Sequence, residues 1–192
     1  LSEVLIRPGA RDVMLLCLDA LRLDADSDRS DAPIANPWHI NAAQLLGHAR
    51  EQEWAIAHVI SRRPRPGETP WRPLRGLAPE PSEPVYHREQ PSAFSSPELR
   101  AALCGGARPE VVLCGVSAQG SALATALDAL RYRVRLTVAA DAAWMPAAET
   151  NGLEALLDLQ RLESGPASVR LAGTDALVRP WRGLRIIPGG RL

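Results

Sequence analysis

Asp19, Arg88 and Ser121 are the residues of this chain whose types and placement point to chemistry. An acid, a cation and a hydroxyl are the parts from which proton transfer and nucleophilic attack are assembled. Two of them end apolar, strand-like stretches and the third starts the helix after another. Asp19 closes the run Val13-Met14-Leu15-Leu16-Cys17-Leu18-Asp19, and Arg88 closes the run from Pro84. Ser121 opens the helix that follows the run Glu110 to Cys114. Ligands of open α/β sheets bind beyond the carboxyl ends of the strands, so these three residues are expected to converge despite their distance in sequence.

The residue types also limit what the trio can do. A serine hydroxyl is far less acidic than a thiol and needs a good base beside it. An aspartate, with a pKa near ~3.9, is a weak base for that purpose unless burial raises it. Arg88 is expected to pair with Asp19 and hold its pKa down, and an arginine does not give up its proton. Two of them also have plainer roles: a turn cap for Asp19 and a backbone-bonding serine at a helix start for Ser121. All 22 basic residues are arginine.

The elements that would hold these residues alternate. Strand-like runs cover Val13–Asp19, Trp54–Ile60, Pro84–Arg88, Glu110–Cys114, Tyr132–Ala139 and Ser168–Ala172. Short continuous apolar runs of this kind fit strands buried on both faces of a parallel sheet. Between them, Asn36-Pro37 reads as an N-cap and first helical residue. The helix runs to about Gln52 with Ile40, Ala43, Leu46 and Ala49 at helical spacing. Further helices are expected from Ser96-Pro97-Glu98 to Leu103, over 119–131 and over Asn151–Leu162. This order predicts a doubly wound α/β domain with helices on both faces. The domain is expected over residues 1–178, with 179–192 as a C-terminal arm on its own or a neighbouring subunit. Residues 61–83, rich in Pro and Arg without a clear period, read as a functional loop or lid.

Composition narrows the classes. A chain of 192 residues that is 46% hydrophobic has material for one substantial core. A net charge of zero gives no electrostatic case for nucleic acid or an anionic membrane. No apolar run approaches the roughly 20 residues of a membrane span. The three cysteines, Cys17, Cys104 and Cys114, form no CxxC pair, which argues against a disulfide framework or a zinc site and for a cytoplasmic setting. Cys17 and Cys114 are expected to be buried and inert. Asp24, Asp26 and Asp28 alternate like a calcium loop, but Arg29 and Ala35 stand where glycine and glutamate are needed. His39, His48 and His58 are scattered, and Trp38, Trp71 and Trp144 read as packing or pocket-mouth residues. No metal and no cofactor is expected.

The segment Val111-Val112-Leu113-Cys114-Gly115-Val116-Ser117-Ala118-Gln119-Gly120-Ser121-Ala122 through Thr125-Ala126-Leu127-Asp128-Ala129 resembles the active-site signature of the isochorismatase-like cysteine hydrolases. That signature reads apolar strand, Gly, two residues, Thr, two residues, Cys, Val, two residues, Thr-Ala, one residue, Asp-Ala. Ala118 stands at the threonine and Ser121 at the nucleophilic cysteine. Arg88-Glu89-Gln90-Pro91-Ser92-Ala93-Phe94 is similar to the family's Lys, three residues, Ser-Ala-Phe, with Arg88 at the lysine. The strand ending in Asp19 matches the one that carries the catalytic aspartate.

The resemblance spans about Val13 to Ala172. It implies a six-stranded, mainly parallel sheet in the order 3-2-1-4-5-6 and a dimer or tetramer acting on a small molecule. It also implies roles: Asp19 as base, Arg88 at the position that stabilises the nucleophile, Ser121 as nucleophile. The backbone N–H groups of Ser117 and Ser121 would form the oxyanion site, aimed by a cis Val116–Ser117 peptide. Three functions follow. The first is a hydrolase of a small amide or related substrate, with serine for cysteine. The second is a family member without catalysis, kept for binding or assembly. The third is a vinyl-ether hydrolase with Asp19 as general acid; true isochorismatases lack the cysteine and often have alanine where Ala118 stands.

Overall fold

The computed structural model describes residues 13–22, 37–61, 72–74, 76–105, 109–117, 120–162 and 169–178. Strands β1 (Val13–Leu18), β3 (Ala55–Ile60), β5 (Val85–His87), β6 (Glu110–Val116), β7 (Leu136–Trp144) and β8 (Val169–Ala172) form one sheet. Its order is β5-β3-β1-β6-β7-β8 and every pairing is parallel. Counting these six strands alone, that is the expected 3-2-1-4-5-6. Two-residue strands β2 (Leu21–Arg22) and β4 (Arg72–Pro73) add a small antiparallel pair that the sequence pattern did not announce.

Alternation along β1 builds the two layers. Leu16 and Leu18 face one side, where they join a core with Leu99 and Leu103 of α2 (Pro97–Cys104). Ala122, Ala126 and Ala129 of α3 (Ser121–Tyr132) and Leu153 and Leu156 of α4 (Ala147–Leu162) complete that core. Leu15 and Cys17 face the other side, against Trp38, Ala42, Leu45, Leu46 and Ala49 of α1 (Pro37–Glu51). Period-two side chains sandwiched between helical layers are what a doubly wound sheet requires. The short helix α5 (Thr174–Val178) packs on the α1 side.

Several boundaries differ from expectation for local reasons. Leu46 and Ala49 of the expected α1 stripe are buried, but Ile40 is 62% exposed, and Trp38, Ala42 and Leu45 join the core instead. Tyr132 ends α3 rather than opening a strand. Its ring stacks on Phe94, and Arg133 closes the helix in a left-handed conformation with its N–H on Ala129 and Leu130 carbonyls. Strand β7 continues to Trp144 through Asp141, whose carboxylate accepts hydrogen bonds from Thr174 N–H and Oγ1. Helix α4 starts at Ala147, four residues before the expected Asn151. The Asp24–Asp28 run, Asn36, residues 62–71 and 75 of the 61–83 loop, Ala118 and the 179–192 arm lie outside the described residues.

One glycine lets the centre of the sheet close. Gly115 has φ 107°, and a Cβ there would meet Leu18 O at 2.2 Å. Only glycine fits this approach of β6 to the end of β1, beside Asp19. The β6–β7 register shifts between Leu113 and Gly115 at the same place.

Candidate active site

Asp19 follows the last residue of β1. Its backbone is left-handed, at φ 42°, a region that Asp tolerates better than most residues. Its N–H donates to Val59 O at 2.8 Å, which anchors it to β3. Arg88 follows β5 in the same way, with its N–H on Ile60 O at 2.9 Å. The two side chains meet across β3: Arg88 Nη2 donates to Asp19 Oδ2 at 2.5 Å. Arg88 Nη1 donates to the carbonyls of Gln90 and Pro91 at 2.9 and 2.7 Å. The pair is almost closed to solvent, with side chains 5% and 13% exposed.

The charge balance of Asp19 departs from the sequence expectation. Arg88 was expected to hold its pKa down. Burial instead pushes the carboxyl above its ordinary value, and the Arg88 charge, its hydrogen bond and the Ser61 backbone only partly offset that push. Asp19 Oδ1 is buried with no hydrogen-bond partner, and so is Arg88 Nε.

Ser121 is brought to the same edge of the sheet but into a different network. Gly120, left-handed at φ 77°, precedes it as the N-cap of α3 and offers no capping side chain. The Ser121 hydroxyl, fully buried, lies 3.1 Å from Ser117 Oγ. Ser117 Oγ in turn lies 2.6 Å from Glu149 Oε1, and a carboxylate can only accept, so Ser117 is the donor there. Ser121 must then donate to Ser117 Oγ, which also accepts Ala122 N–H at 2.7 Å. Glu149 Oε1 accepts Leu123 N–H at 2.9 Å as well. Among the described residues, no hydrogen bond or ion pair links Ser121 to Asp19 or Arg88.

The oxyanion geometry implied by the resemblance is altered. The Val116–Ser117 peptide, expected cis, is trans, because no cis bond occurs among the described residues. Strand β6 runs on to Val116, paired with Trp144, and Ser117 N–H continues that ladder by donating to Trp144 O at 2.8 Å. That N–H is therefore committed to the sheet.

Sequence reading overlooked Glu149. Its only signal was an acid that falls in the first turn of a helix once that helix is started at Ala147. A second network was overlooked on the α1 side. There His58 Nε2 lies 3.0 Å from Glu83 Oε2, and Arg50 holds the same carboxylate through Nε at 2.8 Å and Nη2 at 3.0 Å. Both networks join residues far apart in sequence, so no local period reveals them.

An acid and a cation are paired at the carboxyl edge of this parallel sheet, and a helix-start hydroxyl lies at the same edge in a separate network. The isochorismatase domain matches residues 16–162, and the chain belongs to the isochorismatase family of hydrolases. Among solved structures, the chain is similar to an isochorismatase from Pseudomonas putida KT2440 (23% identity, TM-score 0.62), covering 89% of this chain and 93% of that one. It is also similar to N-carbamoylsarcosine amidase from Thermoplasma acidophilum (17% identity, TM-score 0.67), covering 85% and 97%. A third likeness is to the MAR1 ribonuclease from Caenorhabditis elegans (18% identity, TM-score 0.57), covering 90% and 81%. Three different activities on one scaffold at such identities define the fold and leave the chemistry to the residues. No curated protein matches the chain. Among the described residues, no helix is long and apolar enough to cross a membrane.

Proposed function

We propose that this chain is a non-hydrolytic member of the isochorismatase family, kept for binding a small molecule or for assembly. The observation that carries the reading is the Asp19–Arg88 ion pair. A catalytic base must be free to take a proton, and Asp19 is engaged by a guanidinium that is itself fixed on two carbonyls. The Ser121 hydroxyl has Ser117 beside it rather than Asp19. The Ser117 N–H donates to Trp144 O, so the remaining support for an oxyanion is reduced as well.

Turnover of a panel of small primary amides tests this. The natural chain is expected to be inactive, and Asp19→Ala to leave any ligand-binding or assembly behaviour in place. Amide hydrolysis by the natural chain that Asp19→Ala abolishes would overturn the proposal and restore the amide-hydrolase reading with Ser121 as nucleophile. Ser121→Cys supplies the more acidic nucleophile and is expected to remain inactive, because the base is still held by Arg88.

A second reading, vinyl-ether hydrolysis with Asp19 as general acid, is favoured by one observation. Burial raises the Asp19 pKa, and Oδ1 has no partner, which are the conditions for holding a proton there. Vinyl-ether cleavage that is lost in Asp19→Asn and retained in Ser121→Ala would establish it.

A further inference from the structure

Cys17 and Cys114 are direct Cα partners on the central strands β1 and β6. Both point to the α1 side of the sheet, where they are 1% and 0% exposed. Neighbouring strands run ~4.8 Å apart, within the ~4.4–6.8 Å between Cα atoms that a disulfide spans. The thiols face each other rather than separate neighbours: Cys114 Sγ–H donates to Cys17 Sγ at 3.7 Å. With the backbones already at that spacing, side-chain rotation is the chief movement that an S–S bond of ~2.0 Å requires. Cys114 lies one residue before Gly115, and Cys17 two before Asp19. A bond between them would fix the seam at the point where β6 closes on Leu18 O.

We propose that Cys17 and Cys114 form a redox latch, which a small disulfide oxidant such as oxidised glutathione converts to a Cys17–Cys114 bond while the β1–β6 seam is open. One molecule of oxidised glutathione is consumed. Its S–S bond breaks, the two thiols of the chain lose two electrons and two protons, and two molecules of reduced glutathione carry them away. The exchange passes through a mixed disulfide on one cysteine, which the other cysteine resolves. Once the seam closes, burial keeps out oxidant and reductant alike, so the folded chain holds the state in which it folded. The two cysteines are 97 residues apart, so the bond constrains the open chain strongly. The latch does not depend on any reaction at Asp19 or Ser121, and it stands or falls apart from the non-hydrolytic reading.

Refolding from urea in oxidised glutathione or in a dithiol reductant tests this, after the half-buried Cys104 has been alkylated in the folded chain. Cys104→Ser repeats the comparison without alkylation. In oxidised glutathione the chain is expected to refold lighter by two hydrogens, with no thiol free in urea and a single linked peptide pair carrying residues 17 and 114. Its urea midpoint should lie ~1 M or more above that of the reduced chain. Dithiol reductant added to the folded, linked chain should cleave the bond only as fast as urea opens the seam. Two buried thiols that merely pack would stay free in either buffer, and that outcome overturns the latch. Glutathione retained on either cysteine overturns it too, as does a linked chain that does not regain the native circular dichroism. A linked chain with a lower urea midpoint than the reduced one would show a bond that strains the seam, and rapid reduction of the folded chain would show a state that is not held. Either result also overturns the latch.

Discussion

Arg88 reaches Asp19 over the end of β3, with Nη2 2.5 Å from Oδ2 and both side chains almost wholly out of solvent. A buried pair of this kind is costly to break from one side, because the partner keeps its charge and loses its compensation. Arg88→Met is therefore expected to cost ~3–5 kcal/mol in urea unfolding. Asp19→Asn keeps a residue that tolerates the left-handed backbone, and it removes the stranded charge. The double variant is expected to be more stable than Arg88→Met alone. Additive losses would show that the two residues act independently of each other.

Gly115 controls the same corner through the backbone. Gly115→Ala places a Cβ 2.2 Å from Leu18 O at φ 107°. The obstacle is main chain at the centre of the sheet, where no side chain can yield. The variant is expected to lose ~3 kcal/mol or more, from combined overpacking and backbone strain. The carboxyl-edge amides of β1 and β6 should become the first to exchange with deuterium. An alanine variant as stable as the parent would mean that the two strands separate at this point more readily than their pairing implies.

What was legible in the sequence followed from local pattern. Val13–Leu18 and Glu110–Val116 are apolar because both of their faces are covered, and that signature alone places them in the middle of a parallel sheet. Asp19 and Arg88 were placed correctly at strand ends for the same reason. On α1, Leu46 and Ala49 are buried as their spacing suggested, while Ile40 points outward and Trp38, Ala42 and Leu45 complete the buried face. Glu149 and the His58–Glu83–Arg50 network were invisible because their partners are 25 to 33 residues away in sequence and meet only through the fold. The direction of the Asp19 pKa was misjudged because pairing with Arg88 is visible in sequence, whereas the depth of burial is not.

Cys17 and Cys114 sit side by side on β1 and β6, in register, with sulfurs 3.7 Å apart. The Cys114 hydrogen bond and burial push the Cys17 thiol well above its ordinary range. A protonated, buried thiol is a poor nucleophile. Cys104 is half-buried at the end of α2. In a native-state reaction with an aromatic disulfide reagent, Cys104 is expected to react first. Cys17 and Cys114 should be released only with global unfolding, at a rate that rises with urea. Rapid modification of all three thiols would show that the β1–β6 seam opens locally.

Acid should weaken the fold through His58 and Glu83. Burial lowers the His58 pKa below its ordinary 6.5, a push that Glu83 only partly counters. The unfolded chain therefore takes up the His58 proton first, and stability falls as pH drops below about 6.5. Glu83 follows at lower pH. Burial alone would raise its pKa, but the Arg50 hydrogen bond, the Glu80 N–H and His58 outweigh that and bring it from 4.5 to about 2. Its side chain is only 5% exposed, so solvent screening is slight. The depression is worth on the order of 3 kcal/mol above pH 4.5, lost progressively as pH falls toward 2. The urea midpoint is thus expected to fall in two stages on acidification. Glu83→Gln should flatten the lower stage, and His58→Gln the upper one. A midpoint that stays level from pH 7 to pH 3 in the natural chain would mean that neither group differs between the folded and unfolded states.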